Sequence, residues 1–539
     1  MEHARVIRSA GLVGAMTLVS RGMGFVRDIL MAGVFGTSTA MSAFVVAFRI
    51  PNLFRALFGE GALSAAFIPV FIETRHREGD EAAWRLGRQV FTGVAIVLGV
   101  LAAAGIVGCS LAELWPGLSE KWSRILSLTR IMLPYMVFIC LAAVSMAALN
   151  SFHHFLVPAA TPWILNAVLI AAVLVSPRFG AAQEERIYVV AWGVLAAGVL
   201  QWAAQIPVLR RYGFTPRPLL AWRDERLRRM LALMGPAAIG RAVTQVNVMI
   251  DTLLAAAIPG SVAAQTWAPA ALYFSERLIY LPMGIFATAL STVLLPTFSR
   301  QAAEGDHDAV RRTVGQSLRL LLFVMVPAAV GLLALGGPIV RTCMQWRSFT
   351  EESTLLTARA LAFYAPGMVA FSLGKVFVPA FYALQDPKTP VRVGVVTVAL
   401  NIVLSIAFML TWPLYWKHAG IAFATVVAET VNGVALARIL HRRLGSPGWG
   451  AIAASVARFG VASLALAAAA IAAEGRLIGV FAAAGAAPKI AQVSALLAGV
   501  LAGAAAYVLA ARLLRCPELR ELGEAIARRR SPGPAAPKP

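Results

Sequence analysis

Five arginines and three acids fall within, or at the edges of, long apolar segments: Arg21, Arg27, Arg49, Arg55 and Arg277 against Asp28, Glu60 and Glu276. A charge at the centre of a bilayer costs at least about 2.5–3.5 kcal/mol, so energy alone argues against a lipid-facing, uncompensated arginine. Snorkelling side chains and sequence neighbours such as Arg27–Asp28 and Glu276–Arg277 account for part of the set. They leave a surplus of positive charge, and guanidinium forks grip phosphate or carboxylate bidentately. The chemistry implied is an anionic ligand held between helices. On a straight helix Arg21 and Asp28, seven residues apart, share a face, whereas Arg27 points roughly 100° away from Asp28. Gly22 and Gly24 could distort the helix enough to bring all three to one wall.

A second polar set is sparser. Asp251, Asn401 and Thr425 each stand in apolar surroundings and together offer oxygen ligands to a small cation. The alternative, that Asp251 pairs with Arg241 or bonds to neighbouring helices, carries equal weight. Lys375 and Glu429 read as a structural pair, and His153 and His154 as residues of a short loop. Walker A, G-x-S-x-G, H-E-x-x-H and dinucleotide fingerprints do not occur, so the sequence points to a transporter rather than an enzyme. Uphill transport would then draw on an ion gradient, Na+ for example, or on the membrane potential. No organic cofactor is implied.

The elements that must hold these residues are membrane spans. The chain has 539 residues, of which 59% are hydrophobic and 14% charged, with a mean hydropathy of +0.74. A formal charge of +22 raises the question of nucleic acid, but no soluble, aromatic-bearing basic face accompanies it. The cysteines Cys109, Cys140, Cys343 and Cys516 form no CxxC pair and indicate neither a disulfide framework nor a zinc site. Apolar segments of about 20 residues predict an all-α polytopic membrane protein of about fourteen spans. These lie near 9–34, 40–73, 89–112, 124–150, 158–176, 187–208, 228–257, 266–298, 314–337, 354–381, 391–411, 418–438, 451–473 and 490–514. The first reads as an uncleaved span, since Arg21 interrupts it and no small-x-small cleavage site follows. The second is about 50 Å long as one helix, and Pro51 and Gly59-Glu60-Gly61 are where it should bend or break.

Alternate loops are rich in arginine, as at Arg75 to Arg88, Arg210 to Arg229, Arg300 to Arg312 and Arg438 to Arg443, and both termini share that parity. The opposite loops hold few basic residues, among them Lys121, Arg178 and Lys417. The positive-inside rule then places the arginine-rich loops and both termini in the cytoplasm. An internal repeat runs through the chain. Arg21, Asp28 and the string Ala66-Phe67-Ile68-Pro69-Val70-Phe71 are echoed by Arg241, Asp251 and Val293-Leu294-Leu295-Pro296-Thr297-Phe298. Arg130 ahead of Pro134 is echoed by Arg359 ahead of Pro366, at offsets of about 220–232 residues. Two parallel six-helix pseudo-symmetric lobes follow, with an addition at the end. The expected organisation is an N-lobe at 1–208, a basic amphipathic connector on the cytoplasmic surface at 209–229, and a C-lobe at 230–445. Two further spans occupy 446–515, and a tail 516–539.

Three strings resemble a known family: Ser20-Arg21-Gly22-Met23-Gly24-Phe25-Val26-Arg27-Asp28, Phe48-Arg49-Ile50-Pro51-Asn52-Leu53-Phe54-Arg55, and Gly59-Glu60-Gly61-Ala62-Leu63-Ser64-Ala65-Ala66-Phe67-Ile68-Pro69. They are similar to those of the MurJ (MviN) family of the multidrug/oligosaccharidyl-lipid/polysaccharide exporter superfamily. Gln385-Asp386-Pro387-Lys388-Thr389-Pro390 and Lys417-His418-Ala419-Gly420 resemble its later signatures. The resemblance implies a flippase for lipid II, an undecaprenyl-diphosphate carrying a disaccharide-pentapeptide, in the bacterial inner membrane for peptidoglycan synthesis. Lipid II, membrane lipids and the cell-wall synthesis machinery are the partners it implies. It marks Arg21, Arg27, Arg55 and Arg277 as substrate residues, with Asp28 organising the cavity; Arg49, Glu60 and Glu276, charged groups in or beside the same spans, are read from their placement as secondary cavity residues. Some members carry an acid where this chain has Ser42. The sodium site described in some members matches Asp251, Asn401 and Thr425 loosely. A flippase for another polyprenyl-diphosphate glycan or an organic-cation exporter are the alternatives, and the surplus of arginine speaks against the second.

Overall fold

The computed structural model describes residues 2–57, 63–221, 223–258, 267–485 and 487–530. Gly59, Glu60 and Gly61, and with them one expected cavity residue, lie outside the described residues. Helices make up the architecture, and twelve of the described segments are long and apolar enough to cross a membrane. The expected segments at 9–34 and 228–257 fall outside that set of twelve, although each is part of one continuous helix, Glu2–Phe35 and Glu225–Ala257.

The chain forms two compact units. The first contains residues 1–274 and 345–353. Its helices are α1 (Glu2–Phe35), α2 (Thr39–Phe54), α3 (Leu63–Glu78), α4 (Asp80–Glu113), α5 (Glu120–Met132), α6 (Tyr135–Ser151), α7 (Leu156–Val175), α8 (Gln183–Ala203), α9 (Ile206–Arg211), α10 (Glu225–Ala257) and the first part of α11 (Ala268–Pro282). α10 belongs here because it packs on α2, α3 and α4. Aromatic side chains of α3 and α4, Phe67, Phe71 and Trp84, build the core with Val144 and Leu149 of α6 and with Leu209, Phe214 and Leu227. In the stretch 209–229 α9 ends at Arg211, irregular backbone follows with Phe214 buried in this core, and α10 starts at Glu225 with Leu227 buried beside it.

Loops of opposite parity gather at opposite ends of this unit. At one end Trp267 N donates to Thr37 O (2.8 Å), Lys121 Nζ to Ala256 O (2.5 Å) and Gln183 Nε2 to Val34 O (3.2 Å). At the other, Trp84 Nε1 donates to Tyr212 O (2.6 Å), Gln89 Nε2 to Asp224 Oδ2 (3.0 Å) and Arg226 Nη1 to Glu78 Oε2 (2.7 Å). The second end is the arginine-rich one.

The second unit contains residues 275–344 and 354–539. It includes α12 (Thr288–Ala303), α13 (His307–Met344), α14 (Glu351–Ala383), α15 (Lys388–Thr411), α16 (Lys417–Leu444), α17 (Trp449–Ala483), α18 (Pro488–Leu513) and α19 (Pro517–Arg530). α17 and α18 form a pair that packs on α13, while α15 pairs with α16. The strings that resemble family signatures have structural jobs here. His418 is buried and its Nε2 lies 2.9 Å from Leu356 O at the start of α14. A Cβ on Gly420 would come within 2.8 Å of Phe408 Cβ, so only glycine allows α16 this approach to α15. Asp386 accepts from Thr389 N (3.1 Å) and Thr389 Oγ1 (2.5 Å) at the start of α15, and pairs with Arg443 at 2.6 Å. Those bonds, Thr389 foremost, hold its carboxyl below the usual carboxylate range.

The repeat seen in the sequence is present in the order of elements. α2 runs into a π turn at residues 55–57, and α11 runs into a π segment, Met283–Ala287, about 228 residues later. Each is followed by a 16-residue helix with an internal proline, Pro69 in α3 and Pro296 in α12. A glycine at positive φ, Gly79 (91°) or Gly305 (71°), then turns the chain into a long helix, α4 or α13.

Asp224 caps α10 by accepting from Arg226 N (3.0 Å), and it also binds the Arg226 guanidinium and Gln89 of α4. The Arg226 side chain is the main reason its carboxyl is held well below the usual range. Its stabilisation is thus complete above the unfolded value of about 3.9 and is lost as pH falls through the depressed folded value. Replacing Asp224 with Ala should lower stability by roughly 0.5–2 kcal/mol, read as the thermal midpoint in detergent. The gap from the parent should stay constant between about pH 8 and about pH 5 and close only below about pH 4.

Candidate functional site

The first unit brings Arg27 and Asp28 together in spite of their angular separation on α1. The long guanidinium arm folds back, and Nε (3.0 Å) and Nη2 (2.8 Å) both donate to Asp28 Oδ1. Helical periodicity fixes where Cβ points; it does not fix where an arginine ends. The Asp28 residue is 3% exposed and the Arg27 side chain 12%. An ion pair this deep is stable only if further hydrogen bonds satisfy its atoms. Two other helices supply them. Tyr273 of α11 donates its hydroxyl proton to Asp28 Oδ1 (2.9 Å) and accepts from Arg27 Nη2 (3.4 Å). Asn166 of α7 accepts from Arg27 Nη1 (3.0 Å), while its Nδ2 donates to Ser20 O of α1 (3.1 Å).

Arg21 is half-buried on α1, and among the described residues it makes no hydrogen bond to Asp28. The neighbouring pair offered by the sequence, Arg27–Asp28, is the one that forms. Arg49 is half-buried on α2, and Arg55 follows in the π turn, its Nε donating to Asn52 Oδ1 (2.8 Å). Glu276 and Arg277 are half-buried on α11, Arg277 one turn after Tyr273 in the same helix. Ser42 is fully buried and acts as a structural hydroxyl. It donates to Trp267 O (3.1 Å) and accepts from Ala270 N (3.2 Å), anchoring the first turn of α11.

Asn166 and Tyr273 were not singled out by sequence reasoning. Asn166 carries a readable signal, being the one amide in the apolar run Leu156–Val175. Tyr273 carries none, because a tyrosine in an amphipathic helix is ordinary.

The cation set is divided between the two units. Asp251 is buried on α10 of the first, Asn401 is fully buried on α15 of the second, and Thr425 is half-buried on the adjacent α16. The Thr425 hydroxyl donates to Ile421 O (3.0 Å), so towards a cation it can act only as an acceptor. Among the described residues, no three or more His, Cys, Asp or Glu side chains gather where they could hold a metal ion.

Residues 31–485 match the family model described as Lipid II flippase MurJ. A probable lipid II flippase MurJ of Rhizobium tropici is 36% identical over 437 residues, 80% of either chain. The Burkholderia cenocepacia lipid II flippase MurJ is 34% identical over 457 residues, 82% of this chain and 86% of that one. Among solved structures, a lipid II flippase MurJ in an inward closed conformation superposes with a TM-score of 0.73 at 24% identity, over 93% of this chain and 99% of that one. An inward-facing multidrug resistance MATE family transporter of the MOP superfamily gives a TM-score of 0.63 at 13% identity, over 80% and 94%. The two structures share the fold, and the family model and curated relatives set the lineage: the chain belongs to the MurJ family of lipid II flippases.

Proposed function

We propose that this protein moves lipid II from the inner to the outer leaflet of the bacterial cytoplasmic membrane by alternating access, supplying peptidoglycan synthesis. The observation that carries the chemistry is the Arg27–Asp28 pair, buried among apolar helices and locked from two sides. A diphosphate needs fixed positive charge, while a polyprenyl tail can stay in the lipid. Arg21, Arg27, Arg55 and Arg277 are the proposed diphosphate ligands, with Asp28 holding Arg27 in place and Arg49, Glu60 and Glu276 around them. The arginine-rich loops face the cytoplasm in this reading, and both termini lie on that side. The lobe boundaries near 208 and 445 then separate two rocking halves from the added final spans.

The driving force in this proposal is a sodium gradient or the membrane potential, with Asp251, Asn401 and Thr425 as oxygen donors to Na+. Support comes from the burial of an acid and an amide, oxygen-bearing groups of the kind a small cation takes, within apolar helices.

Three outcomes follow. In a bacterium depleted of its own lipid II flippase, Arg27→Ala and Arg277→Ala should fail to restore growth or outer-leaflet lipid II although both are inserted normally. Full rescue by these variants would sink the arginine mechanism. Tyr273→Phe removes the hydroxyl that donates to Asp28 and accepts from Arg27, hydrogen bonds to charged groups worth roughly 1.5–3 kcal/mol each. It should therefore slow flipping roughly ten-fold without loss of expression. In proteoliposomes, replacing external and internal Na+ by K+ should slow the parent protein, and Asp251→Asn should erase that difference; an identical Na+ response in Asp251→Asn removes the residue from coupling.

A further inference from the structure

At the arginine-rich end of the first unit lies a cavity of about 830 Å³, walled by the α3–α4 turn, the α6–α7 turn and the backbone after α9. Four guanidinium groups line it, those of Arg75, Arg88, Arg211 and Arg217, against two carboxylates, Asp80 and Glu81. Arginines are expected at this end of the unit from loop composition alone, but that expectation predicts hydrated side chains splayed over a convex surface. Here they are arranged in a concavity. Arg75 is fixed over the Phe152 ring at 4.2 Å and pairs with Asp80 at 2.6 Å. Arg88 Nη1 donates to Thr215 Oγ1 (3.2 Å), while its Nε is buried without a hydrogen-bond partner among the described residues.

The aromatic floor narrows the ligand. Phe152 is stacked on Trp84 (5.5 Å between centroids, 15° between planes) and on Tyr212 (4.7 Å, 25°), with Arg75 over it. Its faces are taken up by packing and by holding Arg75, so Phe152 offers no free face to a nucleobase. The lining carries a net excess of two guanidiniums, which matches a compact dianion. We infer that this cavity is a phosphate-binding site, separate from the buried Arg27–Asp28 cluster. It would take either a soluble phosphate ester or the headgroup of an anionic phospholipid. Guanidinium groups recognise both through the same oxygen atoms.

The test uses full-length protein in detergent and in nanodiscs. Inorganic pyrophosphate is titrated calorimetrically in the first, and phosphatidylglycerol retained against phosphatidylcholine is read by native mass spectrometry in the second. Arg211→Gln/Arg217→Gln changes two exposed side chains, so folding should survive, with an unchanged thermal midpoint as the check. Binding in at least one arm should fall roughly ten-fold or more in that variant and in Arg88→Gln, as expected for the loss of charge-assisted contacts. It should persist in Arg27→Ala, which removes the central arginine. Loss in the pyrophosphate arm assigns a soluble ester, and loss in the lipid arm a headgroup. Equal binding by parent and pocket variants in both arms overturns the site. So does a loss confined to Arg27→Ala, which places the phosphate in the central cluster.

Discussion

A guanidinium cannot be left uncompensated inside an apolar bundle, and the arrangement of the first unit follows from that constraint. Arg27 brings a full charge into a region from which water is largely excluded, and Asp28 neutralises it at 2.8 Å. Two charges buried together still pay a desolvation cost of several kcal/mol each, which their attraction offsets only when the remaining lone pairs and protons are bonded. Asn166 and Tyr273 meet that condition from α7 and α11. Three helices far apart in sequence are thus tied at one point, and a change in any of the three must be transmitted to the others. A pair built this way contributes little to net stability and much to geometry, since removing one partner leaves an orphaned charge.

Helix continuity is the second constraint. A π turn or an internal proline frees backbone carbonyls that a regular helix would bond, and bends the rod locally. Both halves of the chain put such an interruption at the same place, at residues 55–57 and at Met283–Ala287, with Pro69 and Pro296 beyond it. Arg55 sits in the first of these interruptions and Arg277 one to two turns before the second. Deformable backbone beside a charged side chain lets that side chain move without the whole helix moving.

The helical architecture was legible in the sequence because hydropathy over 20 residues is a bulk property that no single contact overrides. The repeat was legible because proline and glycine act locally: Pro69, Pro296, Gly79 and Gly305 set the chain's path wherever they occur. The site was half legible. Charge in apolar segments marked Arg27 and Asp28, and their adjacency offered the ion pair even though their Cβ directions differ by roughly 100°, because an arginine reaches several ångströms beyond its Cβ. The α1–α7–α11 junction was not legible at all. Tyr273 is 245 residues from Asp28, and nothing in its neighbourhood distinguishes it from a packing tyrosine. Within 209–229, Phe214 of the irregular backbone and Leu227 of α10 are both buried in the same core, a packing that residue order alone does not reveal.

The pairing of Arg27 with Asp28 also bears on how a flippase lets go of its cargo. A transporter whose arginines all waited uncompensated would bind a diphosphate tightly and release it slowly, because every ligand bond would be pure gain. With Asp28 already on Arg27, a phosphate oxygen that takes Nε or Nη2 must displace a carboxylate oxygen at 3.0 or 2.8 Å, so the net gain is a difference between two charge-assisted bonds. Whatever geometry favours Asp28 over phosphate favours release. On the proposed reading Tyr273 would bear on that balance as well, since its hydroxyl bonds the same carboxylate oxygen that Arg27 holds and any substrate oxygen would compete within that three-way arrangement.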